Sequence, residues 1–83
     1  MKYRKKPVEV EAIQWLGDNA QAVRDFLREA TYGWSPVGDG WLIYTREGVM
    51  TADPGDWIIR GVANEFYPCK PDVFALTYEP VEP

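Results

Sequence analysis

The chain has no histidine and only one cysteine among its 83 residues. Without histidine the usual zinc-ligand spacings cannot be written. The commonest general base is missing too, along with every Ser-His and Cys-His nucleophile pair. A single cysteine cannot close an internal disulfide. No run approaches the roughly 18 apolar residues of a membrane span, and no apolar stretch follows the basic start as it would in a secretory signal. Positive charge is also scarce beyond the first half. Residues 47–83 hold two basic and seven acidic side chains, within a net charge of −4. Such an acidic half repels a phosphate backbone and opposes duplex nucleic acid as a partner. The composition predicts a soluble protein of a reducing cytoplasm, with the lone Cys69 reduced.

What is present is aromatic: four Trp, five Tyr and three Phe, in a chain that is 46% hydrophobic. The length predicts a single domain over 1–83. A domain of this size buries only about 60% of the surface its unfolded chain exposes, so its core is thin. With disulfide and zinc excluded, large aromatic side chains or self-association must supply the missing stability.

Pro7 to Trp15 alternates apolar and polar residues, the pattern of a half-buried strand. The alternation slips after Ala12, and a β-bulge at Ala12–Ile13 would return Val8, Val10, Ala12, Ile13 and Trp15 to one face. Asp18 then stands where it can cap a helix, with Gln21 three residues on. Val23, Phe26, Leu27 and Ala30 form one apolar stripe, predicting a helix over 19–30 that packs on a sheet, with Asp25 and Arg28 spaced to pair outside. Residues 31–40 hold three glycines and a proline and read as a loop presenting Tyr32 and Trp34.

From Trp41 the pattern turns to short strands. Residues 41–46 and 49–52 flank a hairpin turn at Glu47-Gly48. Asp53-Pro54-Gly55-Asp56 has the residues of a type II turn. A strand over 57–62, a tight turn at Ala63-Asn64 and a strand through Cys69 follow, the last confined to an edge by Pro68. Pro71 can open a helical turn, and 76–81 reads as a final strand.

The blocks Pro54-Gly-Asp-Trp-Ile-Ile-Arg-Gly-Val62, Glu65-Phe-Tyr-Pro-Cys-Lys-Pro-Asp72, Phe74 and Thr77-Tyr-Glu79 resemble a family of small phage and prophage proteins. Tyr3-Arg-Lys-Lys-Pro7 and Ala12-Ile-Gln-Trp15 add to the resemblance, which runs from residue 3 to about residue 80 around a variable region at 16–47. That family often has glycine where Asn64 stands here, and asparagine accepts the same backbone shape. The resemblance implies expression in the cytoplasm of an infected bacterium and implies no reaction.

Each chemistry-bearing group has a plain structural reading beside a functional one. Cys69 lacks a histidine partner and reads as a small buried hydrophobe. Asp53, Asp56, Glu65 and Asp72 could converge on a hard cation, but the first two flank a turn, where aspartates bond nearby N–H groups. The basic run Lys2, Arg4, Lys5 and Lys6 reads as a solvated lead-in to the first strand. Arg60, Tyr67 and Lys70 are the best candidate for a ligand site, since arginine beside aromatic rings can clamp a phosphate and stack on a base. Tyr32 and Trp34 are the candidates a loop would present.

These readings predict an α+β domain: a single helix on a curved, mainly antiparallel sheet of five or six short strands, with a partial barrel as a variant. They favour a non-enzyme without cofactor or metal that binds a host protein or a small nucleotide-type ligand, as a counter-defence protein of a phage would. A component of the phage particle and a metal-assisted hydrolase are the alternatives. An exposed apolar patch and a homo-oligomer that covers it complete the expectation.

Overall fold

In the computed structural model, which describes residues 1–4 and 6–81, six strands form two antiparallel sheets of three, accompanied by two helices. Lys5 of the basic run lies outside the described residues. The first sheet has the order β1 (Glu11–Gln14), β5 (Trp57–Arg60), β6 (Phe66–Cys69). The second has the order β2 (Tyr32–Trp34), β3 (Trp41–Thr45), β4 (Gly48–Ala52). Helix α1 spans Ala20–Phe26 and helix α2 spans Pro71–Thr77. The α+β class expected from the sequence is what forms, with two small sheets in place of one and no closed barrel.

The core lies between the inner faces of the two sheets and α1. Trp15, Val23, Leu27, Trp41, Ile43, Ala52, Ile58 and Phe66 make one buried cluster. Aromatic rings meet edge to face in it and at its margin: Trp15 and Trp41 at 5.5 Å, Trp34 and Trp41 at 4.8 Å, Phe26 and Phe66 at 5.7 Å. Such pairs add about 0.5–1.5 kcal/mol each beyond the area they bury. The Trp15 indole donates to the Asp39 carbonyl at 2.8 Å, which ties the loop before β3 to the core.

Several local expectations are corrected. No bulge interrupts β1: Glu11, Ala12, Ile13 and Gln14 pair in unbroken register with Arg60, Ile59, Ile58 and Trp57. The slipped alternation reflects a strand with apolar cover on both faces. α1 begins after Asn19, whose side chain accepts from Leu16 N–H at 2.9 Å and donates to the Gln14 carbonyl at 2.9 Å, so Asp18 is not its cap. It ends at Phe26 because the following bonds tighten, Arg28 N–H to Asp25 and Ala30 N–H to Leu27. Asp25 accepts from Gln21 at 3.0 Å instead of pairing with Arg28. Residues 32–34 are a strand, held in register by β3 (Tyr32 opposite Ile43, Trp34 opposite Trp41). The β3–β4 turn falls at Arg46-Glu47, one residue earlier than expected.

The type II signature at 53–56 closes as read, with Gly55 at φ +99° and Asp56 N–H bonded to the Asp53 carbonyl at 2.9 Å. Asn64 sits in the left-handed region at φ 61°, as its turn requires. In place of a final strand over 76–81, α2 runs on to Thr77, carried by Pro71 in its first turn and by Phe74 and Tyr78 one turn apart.

Ile43 is fully buried in this cluster, whereas Val37 is 86% exposed. Ile43→Ala should therefore cost about 2–5 kcal/mol, and Val37→Ala less than about 0.5 kcal/mol. Urea unfolding followed by tryptophan emission measures both. Equal costs would contradict this placement of the core.

Candidate binding groove

Sheet register decides which side chains can meet. On the first sheet, Arg60 lies opposite Glu11 and Phe66, while Tyr67 lies opposite Ile59. Side chains alternate along a strand, so Arg60 is on the inner face with Ile58, and Tyr67 is on the outer face. The structure therefore does not bring the five candidate residues together. Arg60 would point away from the core if Ile59 faced it; Ile58 faces it instead, and the Arg60 stem lies toward the core, the guanidinium 5.9 Å from the Phe66 ring centroid. It donates twice to Asn64 Oδ1, at 3.1 and 2.9 Å, and stands 3.5 Å from a Glu29 oxygen and 3.8 Å from a Glu11 oxygen.

Lys70 follows β6 and donates to Asp56 Oδ2 at 3.0 Å, with Asp53 at 3.8 Å. Asp56 is a buried carboxylate that also accepts from the Asp53 N–H at 2.9 Å. This is the aspartate-turn role expected of it, with a lysine added. Tyr32 and Trp34 belong to the aromatic cluster of the second sheet, Tyr32 lying 5.9 Å from Trp41 and Trp34 remaining about half exposed. Glu65, another of the four carboxylates, accepts from the Ala63 N–H at 2.9 Å and fills the space beside Gly61 where a β-carbon would collide with it. Among the described residues no three His, Cys, Asp or Glu side chains gather as a metal site would require.

A groove runs over the outer face of the first sheet, and sequence reasoning missed it. That face carries Ala12, Trp57, Ile59, Tyr67 and Cys69. It is overlaid by α2 and by the irregular N-terminal segment around Pro7–Val10. Trp57 and Phe74 stack face to face at 4.0 Å, and Phe74 continues onto Tyr78 at 5.1 Å. The larger lobe, about 770 Å³, is lined by Val8, Val10, Ala12, Trp57, Phe74 and Tyr78 among others. A second lobe of about 330 Å³ shares Val8, Val10 and Tyr78 and adds Tyr67, Glu65 and Lys6. The only signals in the sequence were Val8 and Val10 out of phase with Ile13, and Phe74 four residues before Tyr78.

The polar groups of this face hold their protons tightly. Burial pushes the Tyr67 hydroxyl well above the usual phenol range, helped by its 3.3 Å hydrogen bond with the Tyr78 hydroxyl. Burial raises the Cys69 thiol, and the Asp56 and Asp72 carboxylates raise it further. At neutral pH Cys69 is therefore a protonated thiol, a poor nucleophile and a poor metal ligand. The hydrogen bond to Asp56 raises Lys70 as well.

No family model matches the chain, and no curated protein or solved structure matches it significantly either. The geometry alone carries the functional argument.

All three shifts have one sign. The folded state keeps each proton to higher pH than the unfolded chain, whose ordinary values are 9.0 for the thiol, 10.0 for the phenol and 10.5 for the ammonium. Their contribution is complete below those values and is lost as pH rises through the folded ones. Urea midpoints measured across a pH series should be level near neutrality and fall above about pH 9. Tyr67→Phe should remove the part of the fall that begins near pH 10. A midpoint that climbs above pH 9 would refute the assignment.

Proposed function

We propose that the chain acts by binding and not by catalysis, and that the groove over the outer face of the first sheet receives an apolar polypeptide segment flanked by basic side chains. The observation that carries this reading is the groove itself. Its volume, about 770 Å³ in the larger lobe, falls in the range of ligand sites, and its walls are mostly aromatic and aliphatic with few polar groups. Apolar residues are open to solvent along it, with Val62 of the second lobe 70% exposed and Leu76, next to the lining Thr77, 91% exposed. Apolar surface that extends beyond a pocket suits a chain laid along it better than a small enclosed molecule.

Charge favours the same class of partner. The lobes bring Glu9, Glu65 and Glu79 to the groove, against Lys6. Arg60 and Lys70, the cations best suited to grip a phosphate, are already engaged by carboxylates. An anionic nucleotide would have to displace those partners, whereas lysine or arginine side chains of a polypeptide would meet the carboxylates at the groove. The resemblance to small phage proteins directs the search for that polypeptide to the infected host.

Mass spectrometry of material released by denaturing the protein from infected cells tests the reading. A polypeptide should be released and should rebind as a synthetic peptide. Val8→Arg, at a half-exposed groove position, should weaken that binding at least about tenfold. Arg60→Ala should leave it unchanged. A released nucleotide whose retention depends on Arg60 would overturn the proposal in favour of small-ligand sequestration. Co-sedimentation with phage particles and no bound polypeptide would overturn it in favour of an assembly role.

A further inference from the structure

A sheet edge exposes unpaired backbone groups, and proteins that stay monomeric blunt such edges with charge, proline or brevity. The two sheets have four edge strands among the described residues. β1 carries Glu11, β6 carries Pro68, and β2 is three residues long. β4 has none of these protections. Its five residues, Gly-Val-Met-Thr-Ala, hold no charge and no proline. Gly48 through Thr51 are exposed, and Ala52 at the end of the strand is the one residue that enters the core.

Which of its backbone groups face outward follows from β3. Tyr44 donates its N–H to the Thr31 carbonyl at 3.1 Å, on the β2 side. Its neighbours Ile43 and Thr45 therefore direct their backbone groups at β4, where they lie opposite Met50 and Gly48. Val49 and Thr51 are left with N–H and C=O pointing away from the sheet. Among the described residues no backbone bond outside the sheet engages them.

We propose that β4 pairs antiparallel with β4 of a second copy of this chain, joining the two second sheets into one of six strands. The register follows from symmetry. A two-fold axis perpendicular to the sheet must pass between a residue and its own copy, because opposed residues share a face. With the axis at Met50, Val49 faces Thr51 of the second copy, and Thr51 faces its Val49. Both outward-pointing residues on each chain are then satisfied, by about four backbone hydrogen bonds. Axes at Val49 or Thr51 leave some of these groups unpaired.

The charge pattern favours a second copy on this edge. Two chains of net charge −4 repel on average, and they approach with least cost through an uncharged strand. Leu42, Tyr44, Val49 and Thr51 share the outer face beside it, again without charge. One like-charge pairing arises twice by the symmetry, Glu47 opposite Asp53 of the second copy, and each Lys70 lies 3.8 Å from its Asp53 to offset it. Tyr44 and Val49, each about half exposed in the single chain, come to flank the new pairing.

Sedimentation equilibrium should give twice the 9.5 kDa of one chain as concentration rises. Val49→Lys, which places like charges next to the axis, should return it to the single mass with its circular dichroism unchanged. In a Cys69→Ser background, Met50→Cys should form an intermolecular disulfide readily, since a non-hydrogen-bonded antiparallel pair sets β-carbons about 4.5–5.5 Å apart. Tyr44→Cys, one strand further from the axis, should not. A chain that stays single at all concentrations overturns the proposal. So does a dimer that cross-links through Tyr44→Cys and not through Met50→Cys, and this pair decides the matter even if Val49→Lys fails to fold.

Discussion

Ile58 and Ile59 are adjacent on the central strand of the first sheet, point in opposite directions, and are both wholly buried. That requirement organises the molecule. Ile58 is covered by the core between the two sheets. Ile59 belongs to the other face, outside that core, and a second layer must cover it. Among the described residues this layer is supplied by the N-terminal segment, by α2 and by the residues that follow α2. None of these is long enough to make a tight lid: α2 has seven residues and none of them is buried. The groove is the gap such a minimal layer leaves, so its apolar lining is a consequence of how the first sheet is buried.

The same shortage of material explains the aromatic cluster. A core with so few residues gains most from large side chains, each removing on the order of 150–250 Å² from water. The indole of Trp15 reaches a carbonyl, but among the described residues the buried Trp41 nitrogen has no hydrogen-bond partner. Its ring meets Trp34 at 83° and Trp15 at 77°. Edge-on contacts of this kind bring polar ring edges to aromatic faces, which compensates part of the lost hydrogen bond. Trp34 stays half exposed because β2 is an edge strand of three residues and nothing lies beyond it.

Where local chemistry decides, the sequence could be read directly. Pro54-Gly55 makes its turn, Asn64 takes its left-handed position, Pro68 lies on an edge strand, and Val23 and Leu27 enter the core. Where register decides, it could not. A two-residue turn at Ala63-Asn64 would have set Arg60 opposite Tyr67, on one face. The actual closure, Gly61 N–H to the Glu65 carbonyl at 2.8 Å, holds three residues in the loop and puts Arg60 opposite Phe66. One residue of slip moves a strand's entire set of side chains to the other face, and with it the expected Arg60–Tyr67 cluster was divided. The strand expected over 7–15 forms only at Glu11–Gln14 and the one expected over 76–81 does not form, for a different reason. Their alternation was genuine, but it recorded apolar residues lining the groove from irregular chain and from a helix end.

Charge follows from the same geometry. The second half of the chain has only Arg60 and Lys70 as cations, and each sits where a strand or turn leaves carboxylates uncompensated. Lys70 answers the buried Asp56, whose position is dictated by the Pro54-Gly55 turn. Arg60 answers Glu11 across the sheet and Glu29 beyond the end of α1, so it joins β1, β5 and the helix at one corner. Exposed ion pairs of this kind contribute little singly, but here they engage both cations of the second half. Three carboxylates, Glu9, Glu65 and Glu79, line the groove against Lys6. On the proposed reading, a short acidic chain that commits the two cations of its second half to its own strands and turns relies on apolar contact and negative charge for recognition.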